Sequence, residues 1–284
     1  MGLISVRDNK LIMQVAKGSL EEVKCMVQEG VGERAILGAL IESSFKGYED
    51  MVEYLIEYCK DVNGRISDDI INNVSVPVWL HLRSKKDKGA LDCAVEEKNK
   101  KVIKILLDKG VYVDVELLGK VIEEGKDKEI LGMLIDSAEK EVLETKRNFG
   151  NDILMKLSAM INEDKLVKKI LDKDVNLYQR NVVGGTCLHM AALRGNDKVV
   201  EILMYYGMDV NVKDRRLYTP LMLGVENMHV SVVEKLLRKD KIMQNVSKEG
   251  KTAIEIAREV YDKIENEIEK LIMIKIIKML EEGS

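Results

Sequence analysis

Gly184-Gly185-Thr186-Cys187-Leu188-His189-Met190-Ala191-Ala192 is a stretch that returns in altered form further along the chain. Thirty-three residues later stands Leu217-Tyr218-Thr219-Pro220-Leu221, and after another 33 Gly250-Lys251-Thr252, so three threonines keep one register. Between the first two, Val199-Val200-Glu201-Ile202-Leu203-Met204 recurs as Val232-Val233-Glu234-Lys235-Leu236-Leu237, and Gly207-Met208-Asp209-Val210-Asn211 closes the unit. A fixed period of this length is the signature of one supersecondary unit stacked on copies of itself.

Each letter has a physical task. A threonine ahead of a helix can accept from its unpaired N–H groups, and proline at the first helical position gives up no bond. Paired alanines let two helices approach closely. Gly195 and Gly207, with Gly18, Gly47, Gly110 and Gly125 in equivalent places, stand where helices end and the backbone needs positive φ. The Val-Val and Leu-Leu pairs face the neighbouring unit, which supplies the apolar burial a lone helical hairpin lacks.

The pattern resembles the ankyrin repeat, with its G-x-T-P-L-H-x-A-A opening, V-V-x-x-L-L second helix and G-A-D-V-N turn. No single unit holds every letter: Thr219 and Pro220 supply T-P, while His189 and Ala191-Ala192 supply the rest next door. The frame extends towards the N-terminus in weaker form, through Gly18, Val23, Met26 and Val27, then Gly47, Val52 and Asp61-Val62-Asn63, then Val102 to Leu107 and Gly110. Shortened copies lie around Gly125 and up to Asp174-Val175-Asn176. The resemblance implies an all-α solenoid over 1–284, built of about eight helix-turn-helix units with short hairpin-like turns between repeats. The units fall at approximately 7–31, 33–63, 88–114, 115–137, 150–176, 181–213, 214–246 and 247–282.

Two stretches depart from the frame. Residues 64–87 insert roughly eighteen residues beyond the expected spacing, among them Pro77-Val78-Trp79-Leu80, His81 and the basic run Arg83-Ser84-Lys85-Lys86. Trp79 either seals the break between stacked units or projects as an anchor for a partner. Past Thr252, a long helical pattern through Tyr261, Ile264, Ile268, Leu271 and Ile272 reads as a C-terminal cap whose outer side is more apolar than a cap requires.

Composition agrees with helices: 46% hydrophobic and 33% charged residues accompany 4% aromatic residues and 2 prolines in 284. The net charge of −4 comes from 45 basic and 49 acidic side chains mixed along the chain, so no basic stripe exists to release counterions from nucleic acid. Met1 to Val6 is followed at once by Arg7 and Asp8, leaving no apolar core for a secretory signal. Leu271 to Leu280 is about half a membrane span and carries Lys275 and Lys278. The expectation is a cytoplasmic monomer without a membrane or nucleic-acid partner. Cys25, Cys59, Cys93 and Cys187 stand far apart, with no CxxC pair and no metal-ligand spacing, and read as reduced, half-buried thiols. No metal and no cofactor is expected.

Catalytic constellations are missing as well. His81, His189 and His229 are the three histidines, and none has an orienting partner at recognisable spacing. No phosphate-binding loop, H-E-x-x-H, G-x-S-x-G or dinucleotide fingerprint occurs. The chain is therefore expected to be no enzyme. The resemblance assigns His189 to hydrogen bonding of loop backbone between repeats.

What the resemblance implies instead is a protein-binding scaffold that uses a concave side of turn tips and first helices. Carried over, those positions are Val182, Val183, Leu193 and Arg194, then Arg215, Arg216, Tyr218, Glu226 and Asn227, then Lys248, Glu249 and Lys251. Arginine and tyrosine are frequent hot-spot types, which singles out Arg215, Arg216 and Tyr218, although a soluble tip would read the same way. The Lys-, Ile-, Asn- and Glu-rich composition and degenerate repeats are similar to ankyrin proteins of obligate intracellular bacteria and large DNA viruses, which implies an effector acting inside a host cell. The alternatives are a self-associating structural protein, pairing through the apolar C-terminal helix, and a regulator of an enzyme encoded elsewhere.

Overall fold

The computed structural model describes residues 6–65, 87–125, 127–146, 148–238 and 245–282. Trp79, His81 and the basic run from Arg83 to Lys86 lie outside the described residues. Among those described, all regular structure is helical, and the chain divides into two compact units, Met1–Val113 and Asp114–Ser284.

In the first unit, α1 (Val6–Lys17), α3 (Glu33–Lys46) and α5 (Ala90–Glu96) each open a helical hairpin. They are completed by α2 (Leu20–Gln28), α4 (Glu49–Ile56) and α6 (Lys100–Asp108). First helices pack on first helices and second on second, α1 on α3 on α5 and α2 on α4 on α6. The apolar letters fall on the shared faces: Leu11, Ile12 and Val15 of α1, Leu40 and Ile41 of α3 and Val52 and Leu55 of α4 are all fully buried. Each such side chain contributes about 1.5–3 kcal/mol through burial.

The second unit repeats this plan with five hairpins. Its first helices are α7 (Val115–Glu124), α10 (Ile153–Met160), α12 (Cys187–Arg194), α14 (Pro220–Glu226) and α16 (Ala253–Lys263). Its second helices are α8 (Lys128–Ser137), α11 (Asp164–Leu171), α13 (Asp197–Tyr205), α15 (Val230–Leu237) and α17 (Glu267–Glu282), again stacked in two ranks. A short helix the periodicity does not reveal, α9 (Lys140–Glu144), packs on α10.

Helix starts follow the capping logic. Thr219 Oγ1 accepts from Met222 N with Pro220 at the first helical position, and Thr252 Oγ1 accepts from Glu255 N. Asp114, Asp127 and Asp152 cap α7, α8 and α10 with their carboxylates. Burial of Asp152 pushes its carboxyl up to about 6. Helix ends fall as expected, since Gly18, Gly47, Gly110, Gly125, Gly195 and Gly207 all have positive φ. At Gly195 the requirement is double: φ is +75°, and a Cβ there would stand 2.7 Å from His229 Nδ1.

That close approach belongs to a repeated device. The residue that precedes a second helix reaches back to a carbonyl near the end of the previous first helix. Asn99 Nδ2 donates to Ser44 O, Asn196 Nδ2 to Ser158 O at 2.7 Å, and His229 Nε2 to Leu193 O at 3.1 Å. Each bond occupies a carbonyl that the helix end leaves unpaired and fixes one repeat against the next.

Candidate functional site

The turns ahead of α12, α14 and α16 are three copies of one structure. Asn181 N donates to Gly185 O, Asp214 N to Tyr218 O and Ser247 N to Lys251 O, while the N–H groups of Gly184, Leu217 and Gly250 return to Asn181, Asp214 and Ser247. Gly184, Leu217 and Gly250 all have positive φ. Each turn is organised by a buried side chain at its first residue. Asn181 Oδ1 accepts from Val183 N and Gly185 N, Asp214 Oδ1 from Arg216 N and Tyr218 N at 2.8 and 2.9 Å, and Ser247 Oγ from Glu249 N and Lys251 N. Backbone bonds then stitch tip to tip: Val182 N to Phe149 O, Arg215 N to Val183 O and Lys248 N to Arg216 O, at 2.9–3.0 Å.

His189 ties this row to the helices. Thr186 N donates to Nδ1, so Nδ1 is the acceptor and Nε2 carries the proton it donates to Tyr218 O at 3.1 Å, in the next tip. Burial holds the imidazole below its ordinary pKa and keeps it neutral. His189 is thus a bridge between repeats, and His229 is another.

The row sets out the expected contact residues unequally. Val182 and Val183 are exposed, and Arg215 and Lys248 are exposed without an ion-pair partner among the described residues. Arg216 is held: its guanidinium lies 4.2 Å over the Tyr218 ring, and its Nε is 3.4 Å from Asp214 Oδ2. Burial raises the Tyr218 pKa. Lys251 lies between Glu249 at 2.9 Å and Glu259 at 2.8 Å, and hydrogen bonding to it holds the Glu249 carboxyl below its ordinary range. Leu193, Arg194, Glu226 and Asn227 stand at the far ends of α12 and α14, about 10 Å from the tips at 1.5 Å per helical residue. The half-buried Leu193 gives its carbonyl to His229, Asn227 Nδ2 donates to Leu223 O, Glu226 is half-buried, and Arg194 is exposed. The expected set therefore falls into two rows.

Two features escape the sequence reading. Phe149 is 77% exposed at φ +59°, and it extends the tip row by one place. The other is the organising trio Asn181, Asp214 and Ser247. The signal for both is the period, since Phe149 precedes Val182 by 33 residues and the trio is spaced by 33.

Other chemistry is sparse. Cys59, Cys93 and Cys187 are buried and Cys25 is exposed, all as thiols, and burial pushes Cys59 up to about 11. Among the described residues no group of three or more His, Cys, Asp or Glu is placed to hold a metal ion. Nor is any described helix long and apolar enough to cross a membrane.

Residues 118–214 match the family model for ankyrin repeats in three copies, a stretch that takes in the Asn181 tip and ends at Asp214. These residues are ankyrin repeats by that match. An ankyrin repeat protein of Fowlpox virus (strain NVSL) is 31% identical over 84 residues, 29% of this chain and 25% of that protein. One of Acanthamoeba polyphaga mimivirus is 28% identical over 102 residues, 35% of this chain and 13% of its own length. Protein phosphatase 1 regulatory subunit 12A of Mus musculus is 39% identical over 80 residues, 27% of this chain and 7% of that protein. The chain thus spans a quarter or less of each of these relatives. Ankyrin repeats are protein–protein interaction modules, and that much holds for this one.

Proposed function

We propose that this chain is a non-catalytic scaffold whose tip row, from Phe149 through Val182 and Val183 to Arg215 and Lys248, docks a protein segment carrying carboxylates beside an apolar anchor. The observation that carries the reading is a hydrogen-bonded row that exposes three apolar side chains and then two cations without ion-pair partners among the described residues, in a chain of net charge −4. Preorganised tips lose little entropy on binding, and a cationic end steers an acidic partner. Phe149 supplies area with only two rotatable side-chain bonds. Nucleic acid and membrane are not proposed as partners. A cytoplasmic site of action, in a host cell if the chain is an effector, belongs to the same proposal and is supported by the likeness to viral ankyrin repeat proteins.

The clean probe is Arg215→Glu rather than a change at Arg216, because Arg216 is tied to Asp214 and Tyr218 and its loss would disturb the tip. Proximity labelling in the native cell identifies partners of the unaltered chain. Arg215→Glu combined with Phe149→Ala is expected to lose that labelling at least tenfold while the melting temperature stays the same. Equal labelling by both chains would reject the tip row as the docking surface.

A further inference from the structure

We propose that a second copy of this chain docks on the outer face of α17, antiparallel to it and related by a two-fold axis. This surface shares no residue with the tip row. One side of α17 is spent on packing, with Met273, Ile276 and Leu280 buried where the helix meets α15 and α16. The other side exposes Ile268 by 69%, Leu271 by 66% and Ile274 by 46%. Steps of three residues place these side chains within about 60° of Leu271, so they form one apolar stripe.

Symmetry identifies the occupant. Three residues to either side of Leu271 stand Ile268 and Ile274, and four to either side stand Glu267 and Lys275. A copy reversed about Leu271 sets Leu271 on Leu271, Ile268 on Ile274, and Glu267 beside Lys275, each contact made twice. A parallel copy would set Glu267 on Glu267. Self-complementarity of this kind is what an isologous interface requires. The charges permit it: among the described residues Lys275 is exposed with no ion-pair partner, and Glu267 pairs only with Lys270 of its own helix, at 3.4 Å in solvent. One helix of 16 residues against another covers less than the roughly 1,200–2,000 Å² of stable complexes, so the pair is weak, with Kd on the order of 100 µM.

Sedimentation equilibrium on the full chain from about 10 to 500 µM, a range bracketing that Kd, tests the proposal. The unaltered chain should shift from monomer to dimer and stop there, and Leu271→Glu, at an exposed position, should stay monomeric with an unchanged circular dichroism spectrum. Glu267→Lys and Lys275→Glu should each abolish self-pairing, yet dimerise when mixed one to one. The chain carrying both changes should pair with itself again. Monomer at every concentration, growth beyond dimer, a Leu271→Glu chain that still pairs, or single-charge variants that fail to pair when mixed would each overturn it.

Discussion

The connection from α2 to α3 and the one from α13 to α14 join equivalent helices at very different lengths. The first runs from Glu29 to Gly32 and is held by Gly32 N donating to Asp8 Oδ1 at 2.7 Å. The second runs from Tyr206 to Thr219 and builds a tip with its own buried carboxylate, a left-handed residue and a backbone bond to the preceding tip. Both leave the helices stacked in two ranks. Stack and tip are therefore written by different residues: apolar periodicity with helix-ending glycines writes the stack, while a short acceptor at 181, 214 and 247 writes the tip. A repeat can lose the second and keep the first.

Substitutions at the two levels should separate accordingly. The largest effect is expected at Gly195, where alanine meets both the left-handed backbone and the His229 ring, so Gly195→Ala should lower stability by about 3 kcal/mol in chemical denaturation. Gly110 shares the backbone conformation, but a Cβ there meets nothing within 4 Å, so Gly110→Ala should cost only about 1 kcal/mol. Equal losses would show that the contact between repeats is unimportant.

Asp214→Ala addresses the tip alone. It leaves the Arg216 and Tyr218 amides without their acceptor, and a loss of about 2 kcal/mol is expected, with faster hydrogen exchange at those two amides and little change in the helices. Asp214→Asn should be milder, because Asn181 performs the same task one repeat earlier.

Acidity tests the bridge between the two levels. The folded pKa of His189 lies below its ordinary 6.5, so the folded chain binds fewer protons than the unfolded one under mildly acidic conditions. Its contribution to stability is complete above pH 6.5 and is lost as pH falls towards the lowered value, by at most about 1.4 kcal/mol per pH unit. Asp152 acts in the opposite sense, since its raised pKa makes its burial less costly as pH drops through about 6. Urea titrations should show that His189→Gln loses less stability, relative to the unaltered chain, as pH falls from 6.5 to 5.5, the Asp152 contribution being common to both. An unchanged slope would remove His189 as the source.

The smallest effect carries the opposite sign. Leu217 occupies the left-handed position that Gly184 and Gly250 fill in neighbouring tips. Leu217→Gly should raise stability by about 0.5–1 kcal/mol, read as a higher denaturation midpoint.

Much of the stack was legible because its signals are local and periodic: threonine caps, glycine ends and paired valines each act within one hairpin. The tips were only partly legible. Val182, Val183 and Arg215 follow from the register, but Arg216 could not be told from Arg215, since its tie to Asp214 and Tyr218 depends on how the turn folds back. Phe149 was hidden because the weak repeat that follows it was read as starting at Gly150. Helix α9 has no counterpart in the repeat, so no period could announce it.

Hydrogen exchange followed by NMR at the amides of Val182, Arg215 and Lys248 tests most directly whether the tips form one bonded row. All three should be protected to a similar degree and more strongly than the exposed tip residue Glu249, whose amide is held, among the described residues, by the Ser247 hydroxyl alone. Exchange at unprotected rates in these three, while the α12 and α14 amides remain slow, would mean that the tips move independently and that no preformed surface exists for a partner to meet.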